Sequence, residues 1–285
     1  MFMEEIMYIK TSDNINLYVN RVGEGLDCIY IHGGPGAWSK DFEIFFGDHL
    51  KDKLNLVYLD QRGCGRSDGN YLNNYSIDRL VEDIEEVRKK LNINKFVLIA
   101  HSFGGIIATS YANKYNENLT GLILMNCTLD FKDSLKSQII EGNNILNNKT
   151  DYNLEELSLE KLIYYWRKTI FSLANNNLNY LLQFSNIENY NKLIKLDEQI
   201  ENFKMSELAF NNNQYFLDYT NLSKNISTKT LVIVGNQDYA VGINHHRKFK
   251  FKNSIIKTIH GKHTPYIENT DELIITINDF IKNLC

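Results

Sequence analysis

The chain has 285 residues, 43% of them apolar, with a formal net charge of −4 and a pI of about 6.0. That is enough apolar material for a sizeable core. No basic stripe exists that could neutralise a phosphate backbone, so nucleic acid is excluded as an expected partner. The four cysteines, Cys28, Cys64, Cys127 and Cys285, fit neither a zinc spacing nor a redox pair. Cys28 and Cys127 lie in apolar runs and read as small hydrophobes. Residues 1–10 carry Glu4 and Glu5 and lack a secretory pattern. The most apolar stretch, 96–108, is broken by His101, Ser102 and two glycines and is too short to cross a bilayer. A cytoplasmic protein without a membrane partner is expected. The tripeptides beginning at Asn118 and Asn148 match glycosylation acceptors and read as chance matches.

In chain order, 7–10 and 15–21 read as an antiparallel pair. Residues 27–32, 54–60, 96–100 and 121–126 are nearly continuous apolar runs, as in parallel strands buried on both faces. Helices are expected between them at 41–51, 76–91 and 103–115. The second is the best marked: Ser76 can cap it, Asp78 sits in its first turn, and Arg88, Lys89 and Lys90 sit in its last. Strands alternating with helices imply crossover units and a mostly parallel sheet of about eight strands. From 131 to 225 no strand pattern occurs, and 154–173 and 187–200 have helical spacing. Alternation resumes with a strand at 230–235, a helix at 241–251, a strand at 255–260 and a helix at 271–284. An α/β core of residues 1–130 and 226–285 is therefore expected, interrupted by a helical insert at 131–225.

Three glycine-rich segments each follow a strand. Ala100-His101-Ser102-Phe103-Gly104-Gly105 has the context of a nucleophile elbow, with small residues two positions before and after the serine. Ala100 replaces the usual glycine by a single methyl group. His32-Gly33-Gly34-Pro35-Gly36 is a turn whose backbone N–H groups can face an oxyanion. The expected donors are the N–H groups of Gly34 and Phe103. Asp60-Gln61-Arg62-Gly63-Cys64-Gly65-Arg66-Ser67 is expected to brace the site, with Cys64 a packed thiol.

A serine nucleophile needs a base and an orienting acid. Asp238 follows the strand at 230–235 and His263 follows the strand at 255–260. Asp130, after the strand at 121–126, is the alternative acid, and His260 the rival base. The pair His260 and His263 lacks the company a metal site needs, so no metal and no cofactor is expected. His32 and His101 are expected to bond locally, and His245 and His246 to lie on a helix surface. Ser102 at the elbow disfavours aspartate-nucleophile chemistry.

The turn 32–36, the segment 60–67, the elbow at Ser102, Asp238 and His263-Thr264-Pro265 together resemble the proline iminopeptidase group of α/β-hydrolases. The resemblance covers nearly the whole core and is weak across 131–225. It implies an α/β-hydrolase fold with a helical cap and a Ser102–His263–Asp238 triad. It also implies acidic residues for the substrate's α-amino group: Glu207 stands where the cap glutamate belongs, and Tyr239 stands where a second acid is expected. Gly33 and Trp166 are the other expected substrate contacts. Trp166 belongs to a group with Tyr164, Tyr165 and Phe171 that otherwise reads as core packing. The substrate implied is a short peptide that loses its N-terminal residue. The other readings are an ester, lactone, amide or C–C substrate of the same triad, or small-molecule binding without turnover.

Overall fold

Alternating apolar runs and helices build one eight-stranded sheet in the computed structural model, which describes residues 3–284. The strands are β1 (Glu5–Lys10), β2 (Asn16–Val22), β3 (Leu26–Ile31), β4 (Leu54–Leu59), β5 (Phe96–His101), β6 (Leu119–Met125), β7 (Thr230–Gly235) and β8 (Ser254–Ile259). Their order is β1-β2-β4-β3-β5-β6-β7-β8. β2 pairs antiparallel with β1 and β4, and every other pair is parallel. The helices are α1 (Lys40–Phe45), α2 (Ile77–Lys90), α3 (Gly104–Lys114), α4 (Phe131–Ile145), α5 (Leu159–Asn175), α6 (Ile187–Asp197), α7 (Lys204–Ala209), α8 (Pro265–Glu268) and α9 (Thr270–Lys282). Cys285 lies outside the described residues.

The central strands are buried on both faces because their side chains alternate between two apolar cores. Ile29, Ile31, Leu98, Ala100, Leu122 and Leu124 face the core shared with α2, α3 and α4. Cys28, Tyr30, Val97, Ile99, Ile123 and Met125 face the core closed by α1 and α9. Between β6 and β7 the chain runs through α4 to α7 and short 3-10 turns, and it adds no strand to the sheet. No helix among the described residues is long and apolar enough to cross a membrane.

Two helical expectations differ from the structure. The helix expected at 41–51 stops at Phe45 and continues as a 3-10 turn at Gly47–His49. The helix expected at 241–251 is a single 3-10 turn, His245–Lys248. Gly242, at φ +97°, breaks the helical path before it begins. His245 consequently turns inward. It is buried, and its Nε2 accepts the Leu129 N–H at 2.8 Å.

Candidate active site

The site assembles at the carboxyl ends of β3, β5, β7 and β8, where open parallel sheets present their loops. Ser102 occupies the sharp turn between β5 and α3 with φ at +55°, a left-handed conformation costly for a side-chain-bearing residue. The turn projects the hydroxyl off the sheet. The neighbouring backbone must come close for this to happen. A Cβ on Gly33 would lie 2.6 Å from the Ser102 Cβ.

His263 Nε2 lies 2.9 Å from Ser102 Oγ, and its Nδ1 lies 3.0 and 3.1 Å from the two Asp238 oxygens. A carboxylate can only accept, so Nδ1 carries the proton and Nε2 is free to take the serine's. Asp238 is 1% exposed and its Oδ1 also accepts the N–H groups of Ala240 (3.0 Å) and Val241 (3.2 Å). Asp130 is elsewhere. It caps α4 by accepting the N–H groups of Lys132 and Asp133. His260 lies on the surface, its backbone bonded to Glu272 and Asn269.

The turn 32–36 is fixed from behind. His32 Nε2 accepts the Gln61 N–H at 3.0 Å, so its Nδ1 donates to Gly33 O. Burial lowers the His32 pKa, which keeps this ring neutral. Phe103 is fully buried between Tyr215 and Phe131, with ring centroids 4.8 and 5.6 Å away. Its backbone follows Ser102 directly. The segment 60–67 braces this face. Asp60 binds Ser39 N–H and hydroxyl and the Arg66 guanidinium, whose carbon stands 3.7 Å above the Tyr18 ring centroid. Cys64 is buried with its Sγ 3.4 Å from Met205 Sδ, and burial holds its thiol protonated.

Ser102, His263 and Gly34 line a cavity of about 200 Å³. Two further residues of its wall were not anticipated from sequence, Asp41 and Asp197. Asp41 lies in the first turn of α1 and accepts the Phe42 N–H and the Tyr266 hydroxyl, both at 2.6 Å. Asp197 ends α6 and accepts the Trp38 indole N–H at 3.0 Å. Burial pushes Asp41 up to about 7 and Asp197 up to about 6. Among the described residues, none that lines the cavity is Lys or Arg. Nothing in the sequence sets Asp41 apart from Glu43, the other acid in the first turn of α1. Asp197 had none, because α6 meets the turn at Trp38 only in the folded chain.

The expected amine anchor does not reach this cavity. Glu207 is on α7, exposed, and its carboxylate is held by Lys204 (2.7 Å) and the Tyr71 hydroxyl (2.5 Å). α7 instead presents Ser206 to the turn, so close that a Cβ on Gly36 would lie 2.4 Å from the Ser206 Cβ. The next residue, rotated by about 100° on a helix, points away. Trp166 also stands one layer back. Its indole N–H donates to Gln138 Oε1 at 2.7 Å, and it is Gln138 that lines the cavity. Tyr239 faces the outer side of the Asp238 loop, under the Lys262 ammonium.

A family model described as the alpha/beta hydrolase fold matches residues 29–270. The chain belongs to that family. Over 115 residues it is 43% identical to a proline iminopeptidase of Saccharolobus solfataricus, covering 39% of this chain and 37% of that one. The match thus spans little more than a third of the curated relative's length. Among solved structures, a proline iminopeptidase-related protein from Thermus thermophilus superposes with a TM-score of 0.79 at 23% identity, covering 99% of this chain and 97% of that one. An esterase from Exiguobacterium antarcticum gives a TM-score of 0.73 at 17% identity, covering 97% and 99%. The two superpositions speak to the fold.

Proposed function

We propose that the protein is a serine hydrolase working through an acyl-enzyme, and that it releases N-terminal residues from short peptides in the manner of proline iminopeptidases. The observation that carries this reading is the hydrogen-bonded chain from Ser102 Oγ through His263 to Asp238, opening into a cavity. His263 takes the serine proton as Oγ adds to the scissile carbonyl, then returns it to the leaving amine. Asp238 holds the ring in the one tautomer that allows this. The N–H groups of Gly34 and Phe103 are assigned to the oxyanion. Water, activated by the same histidine, releases the acyl group.

The substrate class is supported by the cavity wall. Asp41 and Asp197 stand without any lysine or arginine among their described cavity neighbours. A substrate ammonium there would meet the compensating charge it needs on leaving water. The residues 131–225 serve in this reading as the cap that carries Asp197 and Gln138 over the triad. A second reading, a short-chain ester or lactone hydrolase, draws on the same two acids. With their pKa values raised to about 7 and 6, they are partly protonated near neutral pH and accommodate an uncharged group.

The test is a fluorophosphonate probe followed by two substrate panels, aminoacyl amides and short-chain esters. Labelling is expected at Ser102 and lost, with turnover, in Ser102→Ala. Labelling at another serine, or full activity of the alanine variant, refutes the mechanism. Turnover of esters alone selects the second reading.

A further inference from the structure

We propose that Asn126 is a positioning residue that sets the spacing between the two loops carrying His263 and Asp238. This rests on the reading of Ser102, His263 and Asp238 as the reacting groups. Asn126 is the residue after β6, and none of its side-chain hydrogen bonds goes to one of the three side chains. It is 2% exposed, and its side chain makes three hydrogen bonds. Oδ1 accepts the N–H of Gly235 at 2.7 Å, and Nδ2 donates to the carbonyls of Lys262 at 2.7 Å and His263 at 2.9 Å. These partners fix the amide's orientation, since an N–H must meet the oxygen and two carbonyls must meet the nitrogen.

The three partners belong to two loops. Gly235 closes β7, three residues before Asp238. Lys262 and His263 follow β8. The loops approach so closely here that a Cβ on Gly235 would lie 2.5 Å from the Lys262 carbonyl. The Asn126 amide is the third party at this contact, bonded to both sides. The residue's backbone fits the post: its N–H extends the ladder to Ile233 O at 2.9 Å, and its φ of +47° is a conformation asparagine adopts more readily than most residues. The His263 carbonyl also accepts from His101 Nε2 at 2.8 Å. The residue before the nucleophile and the residue after β6 therefore grip the same atom. The backbone of His263 is held from β5 and β6 before its ring meets Asp238.

Asn126→Asp keeps the acceptor for Gly235 but turns a second oxygen on two carbonyls. Asn126→Ala removes all three bonds without adding repulsion. Both are read by the fluorophosphonate labelling rate per folded molecule, which needs no knowledge of the substrate. A fall of roughly 100-fold is expected for Asn126→Asp, the scale on which a misplacement of about 1 Å acts. A smaller fall is expected for Asn126→Ala. The far-downfield proton resonance of a histidine Nδ1–H bonded to carboxylate, present in the parent protein, should weaken in step. Loss of thermal stability with the labelling rate and resonance unchanged overturns the proposal. If Asn126→Asp does not fold, Asn126→Ala decides by the same two measurements. A parent protein that never labels refutes the hydrolase reading instead.

Discussion

Ser102 is held in a left-handed turn that its own side chain resists, and the structure compensates by leaving no room for it to relax. Gly33 is part of that confinement. Gly33→Ala would place a methyl group against the Ser102 Cβ, 2.6 Å away, and the neighbour is the turn that carries the proposed nucleophile. Labelling by the fluorophosphonate probe should fall at least tenfold while circular dichroism is retained. Equal labelling would show that the elbow can yield. At the acidic end of the cavity, Asp197 is the residue to remove. Its bond to the Trp38 indole is replaceable by Asn, whereas its charge is not. A charged partner left unpaired costs on the order of 2–3 kcal/mol, or roughly 30- to 150-fold in rate. Asp197→Asn should lose that much in kcat/KM on aminoacyl amides and little on neutral esters. An equal loss on both panels would exclude an ammonium contact at Asp197.

The elements that were legible in the sequence are those whose signal is local. β3, β5 and β7 appear as apolar runs, and the glycine-rich turns directly after β3 and β5 and the proposed catalytic acid after β7 can be found by counting. Ser102, His263 and Asp238 come together because each lies just past a strand of one parallel sheet, so strand assignment alone carries them to the same edge. Asp197 carries no such mark, and Asn126 shares the place after a strand but not a chemistry that singles it out. Asp197 meets Trp38 across 159 positions, and Asn126 meets Lys262 across 136. Glu207 failed for the complementary reason: its distance in sequence from Asp238 was suitable, but the rotation of α7 was not readable. The segment 60–67 was expected to brace the site, and its fully buried Arg62 binds Asp83 of α2 at 2.6 and 2.7 Å and Asp13 at 2.7 and 3.0 Å. Breaking one partner leaves a guanidinium charge in the interior. Asp83→Asn should destabilise the fold by about 3 kcal/mol, the range for a broken buried pair. A shift in the urea midpoint at constant slope measures it. A change below about 0.5 kcal/mol would mean that Asp13 and water suffice.

Buried titratable groups of opposite kinds make stability of the whole molecule respond to pH in two compensating ways. His32, His101 and His245 have pKa values lowered by burial, His245 to about 4. As pH falls from about 6.5, the unfolded chain takes up protons that these rings refuse, so their contribution to stability is lost on acidification. Asp41 and Asp197 act in the reverse sense. Their folded values are raised above the unfolded carboxyl value, so the native state holds protons that the unfolded chain has already released. Stability from these two groups is complete below about pH 4 and is lost as pH climbs through 6 for Asp197 and 7 for Asp41. Between pH 4 and 7 the two sets oppose each other, and the parent protein should show a shallow profile there. Asn in place of Asp41 resembles the protonated acid at every pH and removes one side of the balance. Asp41→Asn should therefore match the parent near pH 4 and become progressively more stable than it up to about pH 8. A shift from 3.8 to about 7 corresponds to a divergence on the order of 4 kcal/mol. Urea unfolding of both proteins at intervals across that range gives the difference directly. A difference that stays flat with pH, or that moves in favour of the parent as pH rises, would show that Asp41 is ionised in the native protein throughout.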